Sequence, residues 1–350
     1  MVGAWLRRVL ASMRDANRLL LALGTKDFYR ISTELYGSAA TPFHGGPRNI
    51  DLATHLQERL RVHGWDEADD APEDPLTPEA LADFLQTRAE REQPGLALEV
   101  RVDAGLTAKV VAGASRVRIR ADASFSPAEA EALWYHEVET HCLTAQNGAA
   151  QRAARFLRAG GPRSTAAQEG LAVFAEMYHH CLDVRRMERL ARRVMLVDMA
   201  ERGADFLELY RFLLGVGATP REAFLDAQRV CRGGLVTGGA PFTKDAAYLA
   251  GLLDVQAFLT AVVRGGLRDE LELLVCGRIG LDDLHALVIL RQLGVLTRPR
   301  FLPRWLRGWR TLLPEFAFAS FLDGVSLAPV AEHFSALIAT ATAAARPDPA

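Results

Sequence analysis

Lysine is almost missing from this chain: of 41 basic residues, only Lys26, Lys109 and Lys244 are lysines and the rest are arginine. Such a bias is what GC-rich coding produces, and it makes each remaining lysine a residue to account for. Cysteine is sparse too. Cys142, Cys181, Cys231 and Cys276 lie far apart with no C-x-x-C pair, so they read as reduced core residues rather than a disulfide framework. Neither sign of charge is in excess. A formal net charge of −2 excludes affinity for nucleic acid or membrane through bulk electrostatics. Long apolar runs are also lacking at the N-terminus, where Arg7, Arg8, Arg14, Asp15 and Arg18 interrupt the apolar residues before Leu19-Leu20-Leu21-Ala22-Leu23. That is too charged and too short for a secretory signal or a membrane span, so an amphipathic first helix and a cytoplasmic location are expected. There is no repeat and no low-complexity domain.

What is present suits a compact enzyme. At 350 residues, 49% hydrophobic and 24% charged, the chain can bury one large core or two smaller lobes. Helical periodicity dominates, which places the fold in the mainly helical α+β class. Residues 1–92 form an N-terminal helical region, punctuated by Gly45-Gly46-Pro47 and by an acidic, proline-bearing linker from Asp66 to Pro78. A catalytic region follows over 93–343, and 344–350 read as a frayed tail. Alternating apolar and polar residues over Leu96–Val102, Thr107–Val111 and Arg116–Arg120 predict three strands in a small antiparallel sheet.

The chemistry concentrates at His136-Glu137-Val138-Glu139-Thr140-His141. In the zincin motif H-E-x-x-H the histidines lie roughly 40° apart around a helix and reach one metal together. At a separation of five they diverge by roughly 140°, unless a π-type turn reduces this to roughly 50°. Ser126-Pro127-Ala128-Glu129 supplies an N-cap serine, a first-turn proline and a capping-box glutamate, so the motif falls within a helix. His136 and His141 are therefore expected to be ligands on a distorted helix, with Glu137 as general base. Cys142 adjoins His141 but faces another direction and is not expected to bind metal.

A catalytic zinc needs a third ligand. Thr165-Ala166-Ala167-Gln168 reads as another capping box, which would put Glu169 in the first turns of an apolar helix whose N-terminus helps keep it ionised. Glu176, seven residues on and on nearly the same face, is a rival ligand or a partner of one. His179-His180 is a weaker rival.

Gln168-Glu169-Gly170-Leu171-Ala172 spells QEGLA, and together with the His136 to His141 signature the chain resembles the QEGLA-motif metallopeptidase family. That family includes the microtubule-associated tyrosine carboxypeptidases, and some members carry a name linking them to flavohaemoglobin expression. The resemblance extends to Cys231-Arg232-Gly233-Gly234 and Phe242-Thr243-Lys244-Asp245-Ala246-Ala247-Tyr248, and covers most of the chain from about Phe28. It implies that His136, His141 and Glu169 hold one zinc ion and that Glu137 is catalytic. A small sheet leading into the metal-binding helix is likewise the arrangement of gluzincin-like peptidases, whose sheet edge can hold an extended peptide. The vertebrate members remove a C-terminal tyrosine from tubulin. No long basic or disordered extension suggests microtubule binding here, so that substrate is not carried over.

The passage from Arg232 to Lys244 is glycine-rich and leads into a helix, which offers backbone N–H groups for an anion. Lys244 is expected in the first turn of that helix, where the dipole disfavours a cation, with Tyr248 four residues later on the same face. In a carboxypeptidase, Arg232 or Lys244 would bind the substrate's terminal carboxylate, and Tyr248 or Lys244 would stabilise the oxyanion. The sequence thus predicts a zinc-dependent carboxypeptidase acting on a peptide or protein C-terminus, with tyrosine or another aromatic as candidate leaving residue. A regulatory protein with a structural metal site is the alternative.

Overall fold

Helices start where the sequence offers a side-chain cap. In the computed structural model, which describes residues 1–62, 75–322 and 324–344, Thr25, Thr77 and Ser126 each accept a hydrogen bond from an early amide of the helix they open. The linker expected from Asp66 lies, up to residue 74, outside the described residues, as does the tail after Ala344. The N-terminal helices are α1 (Val2–Leu21), α2 (Lys26–Tyr36), α3 (Asn49–Val62) and α4 (Pro78–Glu92). Three strands follow, β1 (Glu99–Asp103), β2 (Val110–Ala112) and β3 (Arg116–Arg120), and then α5 (Pro127–Leu133).

The sheet is mixed, not wholly antiparallel as the alternation suggested. Its order is β1-β3-β2, with β1 parallel and β2 antiparallel to β3. Side chains explain the central place of β3: Val117 and Ile119 are wholly buried, while Arg116 and Arg118 point outward and pair with Glu99 and Asp103 of β1. A hairpin between β1 and β2 would have left those cross-strand pairs unmade.

Beyond α5 the chain winds through a π-helix, Trp134–Cys142, into α6 (Leu143–Ala150) and then α7 (Pro162–Tyr178), α8 (Val184–Glu201), α9 (Phe206–Gly215) and α10 (Pro220–Cys231). A 3₁₀ turn at Thr243–Ala246 leads into α11 (Ala247–Arg264), and further helices include Leu284–Gln292, Trp309–Leu322 and Ala328–Ala344. One hydrophobic core joins Trp5, α4, the sheet, the π-helix, α7, α11 and Trp305, and a second gathers around α8, α9 and α10.

α7 and α11 make the closest helix pair, and glycine is the reason. A Cβ on Gly170 would sit 2.1 Å from the carbonyl oxygen of Gly251, and one on Gly251 would sit 2.2 Å from that of Ala166. α11 is long and apolar enough in composition to cross a membrane, but this packing in the core accounts for its apolar character.

Candidate metal centre and its surroundings

The two histidines converge because the helix that carries them is π-wound. The amide of Leu143 reaches back to Val138 O, five residues earlier, and the Thr140 hydroxyl donates to Tyr135 O at 2.9 Å. The extra residue per turn that the five-residue spacing demanded is therefore spread over nine residues. It sets the His136 and His141 rings edge to face with centroids 4.9 Å apart.

Glu169 completes the group. Its Oε2 lies 3.6 Å from His136 Nε2 and 3.7 Å from His141 Nε2, and the three ligand atoms all fall within 4.8 Å of one another. Burial alone would raise the Glu169 pKa, but the neighbouring His136 and His141 rings and the Lys244 charge hold it well below the usual carboxylate range. The helix N-terminus expected to assist has no such part. α7 begins at Pro162 with Gly161 as N-cap, so Thr165 opens nothing and Glu169 lies two turns in. The earlier start follows from Pro162 at the first position and from the Ser164 hydroxyl, which takes a hydrogen bond from the Gly161 amide.

Glu176 lies outside the candidate metal cluster and pairs with one of its members. Its Oε1 is 2.5 Å from His136 Nδ1, and Arg186 of α8 holds the same carboxylate through Nε and Nη2, each at 3.0 Å. This bond assigns the His136 proton to Nδ1 and leaves Nε2 facing the cluster. Burial disfavours the His136 imidazolium, yet the carboxylates of Glu137, Glu169 and Glu176 overcome it and raise its pKa to about 10. His179 is away from the cluster, stacked on Tyr135 at 3.8 Å, and His180 is exposed at a positive φ of 57°.

Glu137 points elsewhere than its neighbour Glu139. Glu139 is buried and accepts from Gln93 Nε2 at 2.8 Å and the Arg304 amide at 2.9 Å, so it ties the π-helix to the C-terminal segment. Among the described residues, none hydrogen-bonds the partly buried Glu137 carboxylate.

Of the residues expected from the glycine-rich passage, Lys244 comes closest. Its Nζ lies 3.4 Å from Glu169 Oε1, carried by the 3₁₀ turn that Ser32 of α2 pins through the Thr243 amide at 2.9 Å. Tyr248 is buried, and its hydroxyl accepts from Arg229 Nη2 at 2.9 Å. Burial and the Glu169 charge push its pKa upward, so the phenol keeps its proton. Arg232 is exposed, with its guanidinium over the Phe242 ring at 5.2 Å, and among the described residues it makes no ion pair with the cluster.

Four amides of the glycine turn are not free as expected. Those of Gly234, Leu235, Gly238 and Gly239 bond Cys231, Ala240, Leu235 and Ala200 carbonyls. The glycines serve close packing instead: a Cβ on Gly234 would lie 2.1 Å from Ala240 O, and one on Gly233, at φ +77°, 2.5 Å from Phe28.

Two residues that sequence reasoning missed also act here. Arg186 is described above, and Arg193, two turns along α8, lies over the Tyr248 ring at 4.8 Å. Neither belongs to a motif.

The helical fold brings two histidines and a glutamate into one partly buried cluster that could hold a metal ion, with an uncommitted carboxylate on the same helix as the histidines. The chain belongs to the microtubule-associated tyrosine carboxypeptidase family, whose model matches residues 1–324. Membership supports a carboxypeptidase-like function at the level of the family, with a peptide or protein as the kind of substrate. Among solved structures, the chain is similar to one titled as a lipoprotein from Colwellia psychrerythraea, with a TM-score of 0.49 and 14% identity. The match covers 81% of this chain and 55% of that one, so the chain spans about half of that protein's length. A comparison with curated proteins finds no match.

Proposed function

We propose that the protein is a zinc-dependent metallopeptidase of gluzincin-like arrangement that releases a residue from peptide C-termini. The observation that carries this reading is the convergence of His136 Nε2, His141 Nε2 and Glu169 Oε2 beside a Glu137 carboxylate that no described residue engages. Two imidazoles and a carboxylate form a donor set suited to zinc. Among the described residues no fourth histidine, cysteine or carboxylate joins them. Structural zinc sites close all four positions with protein ligands, so three donors favour a catalytic site over a regulatory staple.

A bound zinc ion would supply Lewis acidity, activating water and polarising the scissile carbonyl. The protein's own groups do the rest. Glu137 accepts a proton from the attacking water and returns it to the leaving amine. Lys244, beside Glu169, sets a positive charge close to the reacting centre, and the protonated Tyr248 phenol is available to donate to the developing oxyanion. β2 is an edge strand next to the π-helix, where Cys142 Sγ lies 3.5 Å from Gly113 O, and its open edge can align an extended peptide.

The test joins metal analysis to a residue-release screen. Purified protein is expected to hold about one zinc per chain, and His136→Ala, His141→Ala and Glu169→Ala to lose it. Glu137→Gln keeps the zinc but lowers hydrolysis by at least roughly a hundredfold, because it removes the proton acceptor and no ligand. Unchanged hydrolysis in Glu137→Gln would overturn the mechanism, and a zinc-loaded wild type that cuts no peptide would favour the regulatory reading.

A further inference from the structure

Arg186 and Arg193 are seven residues apart on α8, about two turns, and so share a face of that helix. Arg186 is fully occupied by Glu176. Arg193 is half-buried and less committed: its Nε is shielded from water without a hydrogen-bond partner, and among the described residues no carboxylate forms an ion pair with it. Asp245, the carboxylate that acts on it most strongly, gives Oδ2 to Arg229 at 2.6 Å and keeps Oδ1 buried without a hydrogen-bond partner, but forms no ion pair with Arg193. Burial and the Arg229 charge push the Arg193 pKa down to about 10. A guanidinium nitrogen shielded from water and left unpaired is costly, and an anion bound by the same guanidinium would offset that cost.

Its position says which anion. The guanidinium lies 4.8 Å over the ring of Tyr248 on α11, the helix packed closely against α7, which carries Glu169. Of the groups expected from sequence to take a carboxylate, Lys244 faces Glu169, Arg232 is exposed over Phe242 with no ion pair to the cluster, and four of the glycine-turn amides bond carbonyls. We propose that Arg193 is the receptor for the free α-carboxylate of the substrate's C-terminal residue, with the Tyr248 ring beneath it. This rests on the carboxypeptidase reading above. A planar guanidinium matches a carboxylate in two parallel hydrogen bonds, which is how such a residue would enforce cleavage at the chain end.

The experiment uses Glu137→Gln protein as purified, in which peptides bind without being cut. Calorimetry compares N-acetyl-Ala-Ala-X acids with their C-terminal amides, where X is alanine, phenylalanine, tyrosine or glutamate. Acids are expected to bind at least tenfold more tightly than amides. Adding Arg193→Met is expected to erase that preference while leaving amide affinity, zinc content and unfolding temperature near their starting values. Arg193→Lys is expected to keep the fold and an intermediate preference, and it decides the matter if the methionine variant fails to fold. A full acid preference in a folded Arg193→Met protein, or none without that substitution, would overturn the assignment. Acid-selective, Arg193-dependent binding in a protein whose wild type cuts nothing would refute the peptidase reading alone. Cleavage with an Arg193-independent preference would refute the receptor alone.

Discussion

Glu176 shows how a single side chain outside a motif can govern one inside it. It accepts from His136 Nδ1 and is itself gripped by Arg186, so the imidazole is held in one tautomer and one orientation. Glu176→Gln keeps the size of the side chain but weakens both contacts. We expect zinc affinity to fall roughly 10–100-fold, measured by competition with a chromogenic chelator, with the fold intact. An affinity equal to wild type would remove Glu176 from the site. His179 and Glu139, by contrast, do structural work: one stacks on Tyr135, the other anchors the Arg304 amide.

At the level of elements, the centre depends on a helix that is wound wrongly and on two helices that pack too closely for ordinary side chains. The π-helix turns His141 back toward His136, and Thr144, just beyond it, donates to Gln168 Oε1 at 2.8 Å, locking the π-helix region to α7. The Gly170–Gly251 contact then brings α11 against α7, the helix that carries Glu169. Gly170→Ala would gain up to ~1 kcal/mol of helix propensity. It must nevertheless push a backbone carbonyl away from its new methyl group, and overpacking of this kind costs ~1–3 kcal/mol, here at the upper end. A net loss of roughly 2 kcal/mol in denaturant-induced unfolding is therefore expected. A variant as stable as wild type would mean that the helices separate freely and that the glycine is not needed for packing.

For the whole molecule, a metal held by His136, His141 and Glu169 would cross-link the π-helix and α7, both part of the main core. A ligand that binds only the folded chain stabilises it by about 4 kcal/mol at a thousandfold excess over its Kd. For a chain of this size the unfolding temperature should rise by several degrees with zinc and fall again with a chelator. Scanning calorimetry of wild type beside Glu169→Gln checks this: the shift should be present in the first and absent in the second. Equal shifts in both would place the zinc elsewhere.

The sequence alone determined what spacing and local capping encode. The capping box at Ser126 and Glu129, the helix across the motif and the need to depart from α-geometry between His136 and His141 follow from contacts within a few residues, where backbone geometry leaves little choice. It also singled out Glu169, through an acid beside an apolar run and through the family motif. Spacing alone left Glu169 and Glu176 as rivals, since both lie on one face of α7, and the tertiary structure separates them by what α8 and the π-helix bring to each. The same holds for the order of the strands, set by cross-strand pairs of β1 with β3, and for Arg193, whose significance is a missing partner. Contacts distant in sequence, and contacts not made, leave no local periodicity to read.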